Sequence, residues 1–338
     1  MIARRAAWWL LPALLLCALL YLGLAREGPG FAALWSWLAA CCGGAPIDAI
    51  DHFLLANVRL PRLVVAAFGG AALAVAGTVM QATFRNPLAS PDLVGTAAGA
   101  ALGGALAVVW GLAASSVIAV PLASLAGALL VTGLVFVLAR AHGRFAVATL
   151  LLAGIALNTL VGALTSFVVT FTFDNYTASS RVLFWLMGGL EGRTWEHAAI
   201  TAVGCVVFTL LVLPRGRELD VLTLHDDTAH SLGVDGPRAR RWLVLCACGL
   251  TATTVSNTGG IAFIGLVVPH LARLLVGPLH KKLLPASALL GALLLVAGDL
   301  VCRLVPPDAN LRLGVVTAFL GAPYFLFLLG RHRRGEEL

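Results

Sequence analysis

The sequence has few charged residues and only two lysines, Lys281 and Lys282. Charged side chains make up 12% of the 338 residues, whereas a soluble globular domain carries about 25%. Neither lysine lies in a GxxxxGK[ST] loop, the pattern that holds nucleotide phosphates in P-loop ATPases. The composition therefore argues against an ordinary soluble domain, and the lysine positions argue against ATP binding through a P-loop.

Motifs of metal-dependent and acyl-transfer enzymes are also missing. The eight histidines form no HExxH pair, and no GxSxG elbow occurs. The seven cysteines include no CxxC pair, and most lie in apolar segments where cysteine behaves as a small hydrophobic residue. We therefore predict no enzymatic activity, no cofactor and no metal site, and we expect the Cys41–Cys42 pair to pack inertly.

A formal net charge of +7 raises the question of a nucleic-acid partner. The basic residues, however, lie in short loops between apolar segments and form no basic face or known nucleic-acid motif. The charge distribution therefore predicts no nucleic-acid binding. It is typical instead of a protein whose partner is membrane lipid.

Long apolar segments dominate the chain, which is 60% hydrophobic with a mean hydropathy of +0.95. A helix that crosses a bilayer needs about 20 mostly apolar residues. The 36 glycines fit this interpretation, because small residues allow close packing of membrane helices. We predict an all-α, polytopic membrane protein with about ten transmembrane helices, at residues 6–25, 63–83, 93–111, 116–139, 145–172, 197–213, 242–257, 261–277, 283–302 and 313–330.

Loop charge predicts the orientation of these helices. With a cytoplasmic N-terminus, the inside loops hold fifteen basic residues and the outside loops seven. This satisfies the positive-inside rule, and an even number of spans places both termini in the cytoplasm. The first span also fits a signal peptide, but it is long for one and no A-x-A cleavage site follows, so we favour a retained helix.

Two segments lie outside the predicted spans. Residues 31–40 are apolar and aromatic, which suggests an interfacial helix on the outer side. Residues 214–241 form the longest polar stretch, with a short helix at 227–232 broken at Gly233 and at Gly236–Pro237. Such a loop is either a solvated linker or a docking site for a cytoplasmic partner. We predict a single transmembrane domain over residues 1–338.

Charged residues inside the spans are few. Asp299 and Arg303 are four residues apart on the ninth span, so we expect them to share a helix face and pair. Their pair is either structural or part of an outer docking surface. Arg273 lies within the eighth span, where we expect it to support the structure by capping nearby carbonyl groups.

Six separated motifs occur in a consistent order along the chain: RLPR (59–62), FRNPLASPDLVG (84–95), VLFWLMGGLEGRTW (182–195), LDVLTLHDDTAHSLGV (219–234), GGIAFIGLVVPHLARLLVG (259–277) and LGVVTAFLGAPYFLFLL (313–329). Together they resemble the FecCD-type permease subunits of ABC importers for iron–siderophore complexes, haem and cobalamin. The fifth motif is similar to the family's GxIxFxGLxxPHxxR pattern. The sequence departs from the family pattern at His225, where the family usually has glycine, and at 310–314, where it often has a Glu-Leu-Pro-Val-Gly run.

The resemblance implies a fold like that of the cobalamin importer permease, in a bacterial cytoplasmic (inner) membrane. It implies a second permease subunit, either an identical copy or a related chain. It also implies two cytoplasmic ABC ATPase subunits, which hydrolyse the ATP, and an extracytoplasmic substrate-binding protein. The chain itself would transport by alternating access.

Three groups of site residues follow from the resemblance. Docking of the binding protein is expected at the outer arginines, ATPase coupling in the loop between the sixth and seventh spans, and a cytoplasmic gate near the turn after the second span and the start of the fifth. The candidates are Arg59, Arg62 and Arg303 for docking, Leu222, Ala229, Leu232 and Gly233 for coupling, and Asn86, Leu88, Ala146 and Val147 for the gate.

The cargo stays open at this point. A ferric siderophore is our first expectation, and haem or cobalamin would use the same architecture. An ion-coupled secondary transporter is a third hypothesis, but that class usually carries several intramembrane carboxylates and inverted repeats. Asn158, Thr159, Thr165 and Ser166 make the fifth span polar enough to line a path or to hydrogen-bond to other helices.

Overall fold

The computed structural model describes residues 2–24, 28–44, 47–139, 147–170, 182–183, 185–224, 226–306 and 309–332. Within these ranges the chain forms helices joined by turns and contains no β-strand. The predicted all-α fold class is therefore confirmed.

Each of the ten predicted spans coincides with a helix in the part of the chain that the structure describes. The helices, with shorter ones between them, are α1 (Ile2–Gly23), α2 (Phe31–Cys41), α3 (Ala49–Phe53), α4 (Leu60–Phe84), α5 (Thr96–Val109), α6 (Leu112–Ser115), α7 (Ala119–Ala139), α8 (Val147–Thr170), α9 (Trp195–Val212), α10 (Gly216–Leu222), α11 (Asp226–Ser231), α12 (Gly236–Thr258), α13 (Ile264–Val276), α14 (His280–Leu304) and α15 (Leu313–His332).

Five continuous helical segments are long and apolar enough to cross a membrane by length and composition: Ala49–Phe84, Ala119–Ala139, Thr149–Thr170, Trp195–Leu222 and His280–Leu304. Helices α5 and α13 are shorter, at 14 and 13 residues. Short helices of this kind are tolerated in a membrane where neighbouring protein covers their ends.

Helix α4 lies at the centre of the fold and packs against α9, α12, α13 and α14. Its glycines allow this close packing, since they leave no side chain between neighbouring backbones. A methyl group added at Gly70 would overlap the carbonyl of Gly291 on α14, and one added at Gly77 would overlap the carbonyl of Gly265 on α13. The glycine and alanine content of this segment therefore has a direct packing consequence.

The polar segment before α12 is shorter than the sequence predicted. We expected Gly236–Pro237 to break the chain, but these residues begin α12. Proline is accepted in the first helical turn because that turn needs no backbone donor, and the Asp235 carboxylate caps the helix by accepting the amide hydrogen of Arg238 at 3.1 Å. The loop before α12 thus ends at Asp235, and the last residues of the polar stretch form the first turns of the helix.

The gap between the predicted spans 242–257 and 261–277 is present between α12 and α13. Helix α12 ends at Thr258, and the chain is non-helical until Phe263, whose φ of 67° lies in the left-handed region. Gly259 here approaches the carbonyl of Trp185 too closely for any side chain. This interruption places irregular backbone against Trp185 and Gly188.

Candidate functional site

A buried carboxylate lies at the end of α14 that the loop charges assign to the outside. Asp299 is fully buried and accepts two hydrogen bonds from Arg62 on α4, from Nε to Oδ2 and from Nη2 to Oδ1, both at 2.7 Å. The hydroxyl of Tyr21 on α1 donates a third hydrogen bond to Oδ2 at 2.6 Å. Three helices are therefore joined at one carboxylate.

The predicted pair between Asp299 and Arg303 is wrong. Arg303 instead donates from Nη1 to the backbone carbonyl of Tyr21 at 2.8 Å, and its guanidinium lies 4.5 Å from the centre of the Tyr21 ring. The bidentate contact with Arg62 already occupies both oxygens of Asp299. Spacing on one helix identifies neighbours on that helix and carries no information about a partner on another helix.

Arg59 lies beside this cluster and is buried, with 6% of its surface exposed. Its Nη1 donates to the carbonyls of Leu22 and Pro29, both at 2.6 Å, so it fixes the chain that follows α1. The structure thus brings the three predicted docking arginines together around the end of α1. Their role in docking stays a prediction, because no partner is present to test it.

Arg193 is a basic residue of a loop that loop charge assigns to the outside, and the sequence alone did not single it out. Burial and the nearby positive charge of Arg62 lower its pKa to about 10, although Glu191 acts in the opposite direction. Its buried Nε has no hydrogen-bond partner among the described residues. Glu191 is itself paired with Arg312. No local sequence pattern distinguishes Arg193 from an exposed loop arginine.

The four predicted coupling residues divide into two pairs. Leu222 and Ala229 are buried within the permease, at 0% and 1% exposure. Leu232 is 48% exposed, and Gly233 is exposed with a φ of 79°. Only the second pair can therefore contact a partner directly in this conformation. The first pair anchors the predicted coupling segment, which comprises α10, α11 and the turn at Gly233, to the rest of the chain.

A direct contact joins the coupling segment to the turn after α4. Nε of Arg85 donates a hydrogen bond to the backbone carbonyl of Leu222 at 2.8 Å. Arg85 ends α4 in a left-handed conformation, with a φ of 50°. This turn continues to Asn86, whose Oδ1 accepts the amide hydrogen of Leu88 at 2.9 Å. The coupling segment and two predicted gate residues are thus neighbours.

Of the other two gate candidates, the structure describes only Val147. Ala146 lies outside the described residues, and Val147 is the first residue of α8. Leu88 is 41% exposed. The gate therefore stays a prediction, with two of its four residues located on the exposed turn after α4.

A second contact, which the sequence analysis missed, fixes the coupling segment to α14. Asp220 Oδ1 accepts the backbone amide hydrogen of His280 at 2.9 Å and lies 2.6 Å from its Nδ1. The carboxylate on α10 thereby caps the first turn of α14. These residues are 60 positions apart, so no local pattern links them.

The remaining polar candidates are satisfied mainly by nearby backbone groups. The hydroxyls of Thr159, Thr165 and Ser166 each donate to a carbonyl four residues earlier in α8. Asn158 donates to the Asp92 carbonyl at 2.8 Å and so ties α8 to the turn after α4. Arg273, expected to cap backbone carbonyls, is 3.4 Å from the side-chain oxygen of Gln81 instead.

Comparison with known proteins places these features in a family. The FecCD transport family model matches residues 12–331. The chain is 43% identical to the Fe(3+) dicitrate transport system permease protein FecD of Escherichia coli over 284 residues, which cover 83% of this chain and 86% of that protein. It is also 43% identical to the cobalamin import system permease protein BtuC of Halobacterium salinarum over 276 residues, which cover 82% of this chain and 73% of that protein.

A solved structure agrees with this assignment. A metal-chelate type ABC transporter in an inward-facing conformation is similar to the chain with a TM-score of 0.85 and 30% identity, over 97% of this chain and 99% of that one. The chain belongs to the FecCD transport family and is a permease of a FecCD-type ABC importer.

Proposed function

We propose that this chain moves a ferric siderophore, or a ferric chelate of similar chemistry, across the cytoplasmic membrane. The similarity to an Fe(3+) dicitrate permease over 86% of that protein's length supports this cargo. The similarity to a metal-chelate type transporter supports it as well. The ligand itself would be selected by the separate binding protein that the family resemblance implies.

The contact between Arg85 and Leu222 carries the proposed mechanism. An ATPase subunit that binds at the exposed Leu232 and Gly233 would move the segment from α10 to α11. Since Arg85 joins that segment to the turn after α4, the movement would reach Asn86 and Leu88 directly. The gate would thereby open and close with the ATPase cycle, which is alternating access driven from the cytoplasmic side.

Assembly with a second permease subunit is part of this proposal. Helices α8 and α15 carry large apolar side chains on exposed surface, and these two helices would lie against the second copy or a related chain. The residues are Leu152, Ile155, Leu160, Leu164 and Phe167 on α8, and Val315, Phe319, Leu320 and Leu326 on α15. The complex would contain two permease subunits, two ATPase subunits and one binding protein. Each permease subunit would be a single transmembrane domain with both termini in the cytoplasm.

The outer arginines would meet the binding protein. Arg62 and Arg303 are partly accessible, whereas Arg59 is buried and would act by holding the chain around them. Charges at the rim of an interface steer the encounter and fix its register more than they add affinity. Acidic residues on the binding protein are the complementary chemistry.

Cobalamin is the second candidate cargo, because the chain is 43% identical to an archaeal cobalamin permease. Haem would use the same architecture. The architecture alone cannot separate these cargoes if the binding protein selects the ligand.

Growth of a strain lacking the gene tests the cargo. The strain would be grown on iron-limited medium with ferric citrate, several ferric siderophores or haem as iron source, and cobalamin dependence would be scored separately. Restoration of growth on one ferric chelate by the wild-type gene, with uptake blocked by vanadate, supports the proposal. Restoration only with haem or cobalamin overturns the cargo, and vanadate-insensitive uptake overturns the ATP-driven mechanism.

A further inference from the structure

A cleft of about 540 Å³ lies between α10 and the first turns of α12, on the side that loop charge assigns to the cytoplasm. Three arginines line it: Arg215 before α10, and Arg238 and Arg241 in the first two turns of α12. Glu218 and Asp235 also line it. The family comparison assigns no ligand to this cleft.

The two carboxylates in the cleft already have partners. Glu218 pairs with Arg215 at 3.2 Å, and Asp235 caps α12 through the amide of Arg238 at 3.1 Å. The side chain of Arg238 is exposed and has no hydrogen-bond partner among the described residues. Arg241 uses only its Nε, which donates to the carbonyl of Pro237 at 3.3 Å. Donors for an anion therefore remain free on two arginines.

The same cleft has an aromatic and apolar wall. Trp242 is 40% exposed, and the guanidinium of Arg215 lies 5.5 Å from the centre of its ring. Leu245, one turn further along α12, is 46% exposed. Helix α9, which packs against α12, exposes Val207 and Leu210. Tryptophan with arginine above apolar side chains is the arrangement found at the level of lipid headgroups.

From this cleft we infer a binding site for the headgroup of an anionic phospholipid, such as phosphatidylglycerol or cardiolipin. The phosphate would accept hydrogen bonds from Arg238 and Arg241, since guanidinium groups bind phosphate oxygens in a bidentate manner. The acyl chains would continue over Leu245 and α9. Basic pockets between membrane helices on the cytoplasmic side recognise such headgroups.

A lipid fits the cleft better than an acidic side chain of the ATPase. Trp242 and Leu245 add exposed apolar surface to the arginines, which suits a ligand that carries both a phosphate and acyl chains. Gly233 and Val234 form the opposite wall, so a bound lipid would lie against the end of the coupling segment. Occupancy by lipid would thus stiffen the segment that the ATPase has to move.

The test compares lipid retention by full-length variants in nanodiscs of equal parts phosphatidylcholine and phosphatidylglycerol. Bound lipid would be counted by native mass spectrometry after release from the disc. The wild type should retain phosphatidylglycerol in preference to phosphatidylcholine, and Arg238→Gln/Arg241→Gln should lower that preference by roughly fivefold for each arginine removed. Lys281→Gln/Lys282→Gln is the matched control, because it removes two exposed charges on the same side outside the cleft.

Three results would overturn the site: no preference in the wild type, a preference unchanged in the double variant, or equal loss in the lysine control. Inorganic phosphate and glycerol phosphate are added in a separate arm, and binding of these without any lipid preference also counts against a lipid site. Loss of ATPase co-purification with lipid preference intact would assign the cleft to the ATPase instead. Should the double variant fail to fold, the single Arg238→Gln variant replaces it, because that side chain contributes no contact within the described chain.

Discussion

Arg62 on α4 holds both carboxylate oxygens of Asp299 on α14, with two nitrogen–oxygen distances of 2.7 Å. Asp299 is completely buried, and Tyr21 supplies a further hydrogen bond from α1. A carboxylate in such a position is costly unless each of its oxygens is paired. The pair therefore fixes the relative position of three helices at one end of the protein, the end that loop charge assigns to the outside.

Removing one member of this pair should destabilise the protein strongly. Asp299→Ala leaves Arg62 with an unpaired buried charge, and we expect a loss of about 3–5 kcal/mol in the free energy of unfolding. Thermal unfolding in detergent measures the effect. Asp51→Asn is the control, since this carboxylate lies on the same side and is only partly buried.

The double variant Arg62→Met/Asp299→Leu separates charge from packing. Two apolar residues of similar volume leave no unpaired charge, so this protein should unfold at a higher temperature than Asp299→Ala. Equal unfolding temperatures for the two variants would contradict the argument and assign the loss to packing alone.

The sequence predicted most of the helices but few of their contacts. Hydropathy located α4 and α14 because a membrane span has a characteristic length and composition. The small residues of α4 predicted its close packing against other helices. The boundary at α12 was missed, since Gly236–Pro237 signals both a turn and a helix start. For the site, the coupling and docking residues came from family motifs. The pairs Arg62–Asp299 and Asp220–His280 join distant positions, which no local spacing reveals.

Helices α5 and α7 should separate if a methyl group is added between them. In the structure, a methyl group at Gly127 would overlap the carbonyl of Gly99, and one at Gly99 would overlap the carbonyl of Gly127. Gly127→Ala should therefore reduce the yield of folded protein and the unfolding temperature. Size-exclusion chromatography and thermal unfolding would measure both.

Gly133→Ala provides the matched control on the same helix. Nothing lies within 4 Å of a methyl group added there, and alanine is favoured over glycine in a helix by about 1 kcal/mol. The control should fold as well as the wild type. A control that is damaged as much as Gly127→Ala would show that general helix properties, and not the approach of α5, decide the outcome.

Arg85→Gln should uncouple ATP hydrolysis from transport. The variant weakens the hydrogen bond to the Leu222 carbonyl while leaving the exposed Leu232 and Gly233 in place. We expect the ATPase subunits to co-purify as with wild type, and uptake in proteoliposomes to fall at least about tenfold, which corresponds to about 1.4 kcal/mol. Arg217→Gln, an exposed arginine on α10, is the control. Full uptake by Arg85→Gln would remove this contact from the mechanism.

Arg303→Glu should weaken docking of the binding protein. It is a better test than charge reversal at Arg62, because the protein is expected to keep its fold. A glutamate at 62 would face the buried Asp299, so misfolding would hide any effect on docking. Arg303 is partly accessible, and its hydrogen bond and its cation–π contact are both with Tyr21. We expect slower association at low salt, with the difference shrinking as ionic strength rises, because rim charges act mainly through steering.

Surface plasmon resonance with the permease in nanodiscs measures this association rate, and Lys282→Glu at the opposite end of the protein is the control. Association rates that match the wild type at low salt would exclude Arg303 from the docking surface.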